Sequence, residues 1–290
     1  MFTGVGTALA TPFDNDFNVD YDSLKKICRY QVEGGVDAII VLGTTGESPV
    51  IDNAEREKIV ATVAGTVQGK AKIILGTGTN DTKKVVSLNK LAEKENADAV
   101  LIVNPYYNKG TQESLVEHYK YISERTTLPV ILYNVPSRTG MNMLPETVLK
   151  IADSCPNVIG MKEASGNISQ IAKLISMKPD NFSVFSGNDD QTLPIMALGG
   201  AGIISVFSNV YPKELKALTN AIAQNNLDEA RKLNNKYGSM MRALFIEASP
   251  SPLKYVMNKK GMCENVVRLP LISVSEKSEK FLDEEIKNLS

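Results

Sequence analysis

One lysine of this 290-residue chain stands where a nucleophile would be useful. Lys162 follows the apolar run Val158-Ile159-Gly160-Met161 and precedes Glu163. A lysine held at the end of a buried strand loses its water, which disfavours the ammonium form. A neutral amine attacks a ketone and condenses to an imine. The plainer reading of Lys162 is a solvated side chain at a strand end. Imine chemistry also needs protons moved on and off the carbinolamine oxygen. The chain has a single histidine, His118, within residues 111–126, where Leu115, Tyr119 and Ile122 share one helical face. His118 therefore reads as an ordinary helix residue. Proton transfer falls to Tyr, Lys, Asp or Glu, and Tyr133 is the candidate, with rim packing as its alternative.

Other polar clusters also follow apolar runs. Thr44 and Thr45 lie in Gly43-Thr44-Thr45-Gly46-Glu47, where hydroxyls and backbone N–H groups suit a carboxylate, although a tight turn fits equally. Arg138, in Tyr133-Asn134-Val135-Pro136-Ser137-Arg138, is able to grip a carboxylate with two parallel hydrogen bonds, or to stand in solvent. Asn104-Pro105-Tyr106-Tyr107-Asn108 and Ser186-Gly187-Asn188-Asp189-Asp190 complete the set. Asn188 and Asp189 are expected to cap the following helix. Asp52 and Glu55 have the spacing of a capping box. Gly76-Thr77-Gly78 reads as a turn. No glycine-rich phosphate cup follows the last two apolar runs, which disfavours a phosphorylated substrate.

These clusters need a frame that brings them together. Continuous apolar runs occur at residues 5–10, 37–42, 72–75, 97–103, 128–132, 158–161, 182–185 and 202–206. Amphipathic helical patterns separate them: Leu24, Ile27, Cys28 and Val32; Ile59, Val63 and Val67; Val85, Leu88 and Ala92. Buried strands alternating with helices imply a parallel sheet. About eight such units in this length predict an α/β (β/α)8 TIM barrel, whose catalytic groups sit at the carboxyl ends of the strands. An open doubly wound sheet lacks support, because no G-x-G-x-x-G follows the first strand. After about residue 210 only helical spacings recur. Ser251 and Pro252 read as a helix cap and first turn, and the charged tail is expected to end in a helix. The division expected is a catalytic barrel over 1–224 and a helical extension packed on it over 225–290.

Composition narrows the function classes. The net charge is −1, which offers nothing to a polyanion, so no nucleic-acid partner is expected. Cys28, Cys155 and Cys263 have no metal or disulfide spacing, and a single histidine disfavours histidine-based metal sites. No metal or other cofactor is expected. No apolar run approaches the ~20 residues of a membrane helix, and no export signal opens the chain. A cytoplasmic protein with no membrane partner is expected.

Taken together, Gly43-Thr44-Thr45-Gly46-Glu47, Asn104-Pro105-Tyr106-Tyr107, Tyr133-Asn134-Val135-Pro136-Ser137-Arg138-Thr139-Gly140 and Gly160-Met161-Lys162-Glu163-Ala164 resemble, in order, the motifs of the 4-hydroxy-tetrahydrodipicolinate synthase (dihydrodipicolinate synthase) family. That family lies within the pyruvate-dependent class I aldolases, which include N-acetylneuraminate lyase. The resemblance spans nearly the whole chain. It implies a lyase that condenses pyruvate with L-aspartate 4-semialdehyde, an early step of diaminopimelate and lysine biosynthesis. It further implies a Schiff base on Lys162, a proton relay of Tyr133, Thr44 and Tyr107, and a homotetramer or homodimer in which Tyr107 enters the neighbouring subunit's site. Thr45 and the backbone near Ile204 would hold the pyruvate carboxylate, Arg138 the aldehyde's carboxylate, and Gly187 would line the pocket. The sialic-acid lyases differ at Val135-Pro136-Ser137-Arg138-Thr139-Gly140 and lack this arginine. The alternatives are a pyruvate-forming lyase for 2-oxo-3-deoxy sugar acids and a silent barrel that binds a 2-oxo acid. The resemblance also marks Ser48, Pro49, Ile51, Asn53, Arg56, Asn80, Lys84 and Tyr106 as an allosteric lysine site. Inhibited members carry histidine and glutamate at the positions of Arg56 and Lys84, so insensitivity to lysine is expected here.

Overall fold

A computed structural model describes residues 2–289 and closes eight parallel strands into a barrel in chain order. The strands are β1 (Gly4–Ala8), β2 (Ala38–Val41), β3 (Lys72–Gly76), β4 (Ala99–Val103), β5 (Val130–Asn134), β6 (Val158–Glu163), β7 (Ser183–Ser186) and β8 (Gly202–Ser205). Around them run α1 (Tyr21–Glu33), α2 (Asn53–Val67), α3 (Thr82–Lys94), α4 (Gln112–Ser123), α5 (Pro136–Thr139), α6 (Pro145–Ser154), α7 (Ile168–Met177), α8 (Thr192–Ala197) and α9 (Pro212–Ala223). The helices α10 (Leu227–Ala243), α11 (Ser251–Lys259) and α12 (Glu276–Asn288) follow the last strand. Met1 and Ser290, the outer ends of the two expected segments, lie outside the described residues.

Strand periodicity sorts the apolar residues into two cores. Ala38, Ile40, Ala99, Leu101, Ile131, Phe185 and Ile204 fill the barrel interior. Their neighbours Ile39, Val41, Val100, Ile102, Leu132, Val184 and Ile203 face the helices. Successive strand side chains point to opposite faces, so one run serves both cores. Tyr133 belongs to the inner set. A bulge in β6 sets the phase of Lys162. Val130 pairs with Val158, but Ile131 pairs with Gly160, so Ile159 is the extra residue. The shift brings Lys162 level with Tyr133 on β5 and with Phe185 on β7. Met161 faces the outer core.

Local signals in the sequence are realised with small displacements. The Asp52 carboxylate accepts the Glu55 backbone N–H at 2.8 Å and the Glu55 carboxylate accepts that of Asp52 at 3.2 Å, a complete capping box on α2. His118 packs inside α4, its Nδ1 2.9 Å from the Thr82 hydroxyl. Ser251 is the first residue of α11 rather than its cap, and among the described residues its buried hydroxyl has no hydrogen-bond partner.

Candidate active site

Lys162 and Tyr133 sit side by side on adjacent strands at the carboxyl end of the barrel. Lys162 is 5% exposed and Tyr133 7%. The Lys162 Nζ lies 4.5 Å from the centre of the Tyr133 ring. Lys162 lines the cavity, and among the described residues it makes no ion pair. The cavity above it is lined by Thr44, Thr45, Arg138, Gly187 and Val206, with Phe245 and Ser249 reaching over from the segment after α10.

Each lining group is fixed by its own local structure. Leu42 and Glu47 bracket the Gly43–Gly46 turn with left-handed φ values of 58° and 52°, uncommon for side-chain-bearing residues. Inside it, Gly46 N–H donates to the Gly43 carbonyl and Glu47 N–H to that of Thr44, both at 3.1 Å. Thr45 is buried and Thr44 half-buried. The glycine at 76 is a packing requirement, since a Cβ there would lie 2.3 Å from the Leu42 carbonyl oxygen. Arg138 sits on the one-turn helix α5, exposed, and its Nη2 donates to the Ser249 carbonyl at 3.3 Å. Gly187 continues β7, its N–H donating to the Glu163 carbonyl at 2.7 Å. Ile204 lies on β8 inside the barrel, opposite Gly6 of β1.

Asp189 has a different role from the helix cap that its position suggested. Its carboxylate is buried and accepts the Ser205 hydroxyl at 2.5 Å and the backbone N–H groups of Val206 and Phe207, each at 3.1 Å. It therefore pins the turn after β8, beside Ile204. Burial pushes the Asp189 carboxyl up to about 6, against the pull of these donors and of the Lys162 charge. Asn188 makes no capping bond either; its amide donates to the Gln191 side chain. The cause is distance along the chain: the preferred donors lie at the end of β8 and in the turn after it, which a local capping rule does not see.

Behind the site runs a second polar layer. Asn134 accepts from the Asn104 amide at 3.1 Å and donates to both Glu163 carboxylate oxygens at 3.2 Å. Glu163 also accepts the Ser165 N–H at 2.6 Å. Burial raises the Glu163 carboxyl above its usual range, and these donors oppose it. Because Asn104, Asn134 and Glu163 are the chain neighbours of Val103, Tyr133 and Lys162, this network fixes the strand ends on which Tyr133 and Lys162 stand.

Tyr107 is not brought to this site by its own chain. It is 91% exposed with a left-handed φ of 68°. Tyr106, next to it, lines a crevice of about 560 Å³ that opens from the mouth, where Thr44, Tyr133 and Arg138 form its inner wall. Ser48, Pro49, Ile51, Asn53, Arg56, Asn80 and Lys84 line its outer part. Arg56 is buried and donates to the Ser48 and Ile51 carbonyls. Among the described residues no group of His, Cys, Asp or Glu side chains is arranged to hold a metal ion, and no helix is long and apolar enough to cross a membrane.

Phe245 and Ser249 were missed by sequence reasoning, and no motif marks them. They reach the mouth because α10 and the segment after it fold back over the barrel.

Comparison with known proteins places this geometry. The profile of the dihydrodipicolinate synthetase family matches residues 1–289. The chain is 49% identical over 285 residues to the 4-hydroxy-tetrahydrodipicolinate synthase of Thermotoga neapolitana, covering 97% of each chain. It superposes on the crystal structure of dihydrodipicolinate synthase from Thermotoga maritima with a TM-score of 0.98 at 49% identity, covering 100% of this chain and 99% of that one. A monomeric dihydrodipicolinate synthase variant matches with a TM-score of 0.98 at 48% identity, covering 99% and 97%.

Proposed function

We propose that this chain, which belongs to the dihydrodipicolinate synthetase family, condenses pyruvate with L-aspartate 4-semialdehyde to 4-hydroxy-tetrahydrodipicolinate. The observation that carries the reading is the pairing of buried Lys162 with Tyr133 inside the barrel, its Nζ 4.5 Å from the ring centre. The Lys162 amine attacks pyruvate C2, and the carbinolamine loses water to give the imine. Tyr133 and Thr44 carry protons to and from that oxygen, and Tyr107 of a neighbouring copy completes the relay. Thr45 and the backbone near Ile204 hold the pyruvate carboxylate. Loss of a C3 proton gives the enamine, which attacks the aldehyde carbon. Arg138 receives the carboxylate of this second substrate. The substrate amine then adds to the imine carbon, closes the ring and releases Lys162.

The reading includes a catalytic barrel over 1–224 with the extension over 225–290, a cytoplasmic setting, and self-association as a homotetramer or homodimer. It also includes indifference to lysine. Arg56 and Lys84 put two positive groups in the outer crevice, where a lysine ammonium would need an acid. Like charges brought together in a binding site cost several kcal/mol.

The test is a coupled assay with pyruvate and aspartate semialdehyde, run beside N-acetylneuraminate. Turnover of the first pair alone is expected. Cleavage of the sugar acid without condensation overturns the reading. Lysine titrated into the same assay to millimolar levels is expected to leave the rate unchanged, and sub-millimolar inhibition would refute the indifference.

A further inference from the structure

The turn that carries Thr44 and Thr45 is held from outside the barrel. Its last flank, Glu47, has left-handed φ 52°, a conformation that persists only where the surroundings fix it. The fixing group comes from the C-terminal extension. Lys254 on α11 places its Nζ 2.6 Å from Glu47 Oε1, and both side chains are shut off from solvent, at 0% and 1% exposure. The other carboxylate oxygen, Oε2, accepts the Arg268 backbone N–H at 2.9 Å. Lys254 is itself oriented by the Val266 carbonyl at 2.8 Å and the face of Phe13 at 3.9 Å. The Arg268 guanidinium clamps Glu55 of α2 at 2.5 and 2.7 Å and the Val50 carbonyl at 2.8 Å. The extension thus grips both the end of the turn and the helix that follows it. Neither Glu47 nor Lys254 lines the cavity.

We propose that Lys254 is a positioning residue for the reaction: through Glu47 it holds the turn that presents Thr44 and Thr45 to the bound 2-oxo acid. This rests on the roles given to those threonines above. A buried ion pair adds little net stability over an apolar pair of similar volume, whereas removing one partner strands a charge. What the pair does supply is direction. An ion pair on one oxygen and a backbone hydrogen bond on the other converge on the carboxylate of the residue whose N–H closes the turn on the Thr44 carbonyl. The extension is then part of the catalytic apparatus.

The test compares Lys254→Met/Glu47→Gln with the parent protein and with Thr45→Val. The double variant leaves no stranded charge, so its fold is retained, as checked by circular dichroism and melting. Glu47→Gln alone is the second variant, which keeps the Lys254 bond to Val266. Active sites are counted as borohydride-reduced pyruvate adducts, and rate constants are expressed per counted site. In both Glu47 variants the pyruvate KM is expected to rise on the order of tenfold and kcat to fall. The KM for aspartate semialdehyde should stay within about twofold, because Arg138 sits on α5, after β5, rather than on this turn. A purely structural pair would lower the melting temperature and the number of active sites but leave KM and kcat per site at parent values, and that result overturns the proposal. Thr45→Val separates the two layers of inference. If it raises the pyruvate KM while the Glu47 variants do not, positioning by Lys254 is wrong and the threonine's role stands. If it leaves the pyruvate KM unchanged, the threonine's role is wrong and the proposal falls with it.

Discussion

Gly187 leaves room for Lys162, and the cost of filling that room can be worked from the contacts. An alanine methyl at 187 would lie 2.6 Å from the Ala164 Cβ, 3.1 Å from the Lys162 Cε and 3.1 Å from the Glu163 carbonyl oxygen. Carbon pairs rest at about 3.5–4.0 Å. Ala164 would therefore have to move by roughly 1 Å and the lysine chain by roughly half that. The backbone at 187 is not left-handed, so contact alone decides the outcome. Ala164 and Glu163 are fixed by the β6 end, where Gly187 N–H binds the Glu163 carbonyl. The lysine side chain is the softest neighbour and yields first. Overpacking of this kind costs about 1–3 kcal/mol of stability. A displacement of about 1 Å at a reacting group costs on the order of a hundredfold in rate. The lysine moves by about half that distance, so the expected outcome for Gly187→Ala is a lower denaturation midpoint and imine formation slowed on the order of tenfold. The rate is read as borohydride-trapped pyruvate adduct against time. Parent stability together with a parent trapping rate would show that the lysine chain is not held against the end of β7.

Arg138→Ala should leave pyruvate capture nearly intact and lower turnover with the aldehyde by about a hundredfold, the loss of one charged bidentate contact; equal loss of capture would move Arg138 to the first half-reaction. Mixing inactive Tyr107→Phe subunits with inactive Lys162→Ala subunits should restore part of the activity, because one mixed site regains both residues; no recovery after verified subunit exchange would refute a shared site. Stability between about pH 4 and 6.5 should carry two opposed slopes. Asp189 is pushed up to about 6 by burial, so its contribution is present below its ordinary 3.8 and lost as pH rises through 6. His118 is pushed down to about 4 by burial, so its contribution is present above its ordinary 6.5 and lost as pH falls through 4. Each shift corresponds to about 3 kcal/mol. Relative to the parent, Asp189→Asn should therefore gain stability as pH rises through that window and His118→Gln should lose it, and a slope of the opposite sign in either variant would contradict the assignment of that residue.

The strands were legible because their interior and exterior faces are both apolar, which leaves unbroken runs such as 97–103. Lys162 and Tyr133 were legible because polar residues ending such runs are otherwise hard to place. The depth of the lysine was not. The β6 bulge at Ile159 sets whether position 162 faces the barrel or the helices, and a continuous apolar run carries no mark of its phase. Asp189 was misread because a capping rule looks a few residues ahead, whereas its donors lie at 205–207. Phe245, Ser249 and Lys254 were hidden for the same reason. Their partners lie far away in sequence, and α10 and α11 show only ordinary amphipathic spacing. The exposure of Tyr107 becomes meaningful only once the fold shows that its own chain gives it no site.

Capture of pyruvate at Lys162 tests the central claim most directly. The protein is incubated with pyruvate and borohydride, and the intact chain and its peptides are weighed. The expected result is one reduced pyruvate adduct per chain, located on Lys162 and absent from Lys162→Ala. An adduct on another lysine, one that persists in Lys162→Ala, or no adduct at all would contradict the imine mechanism.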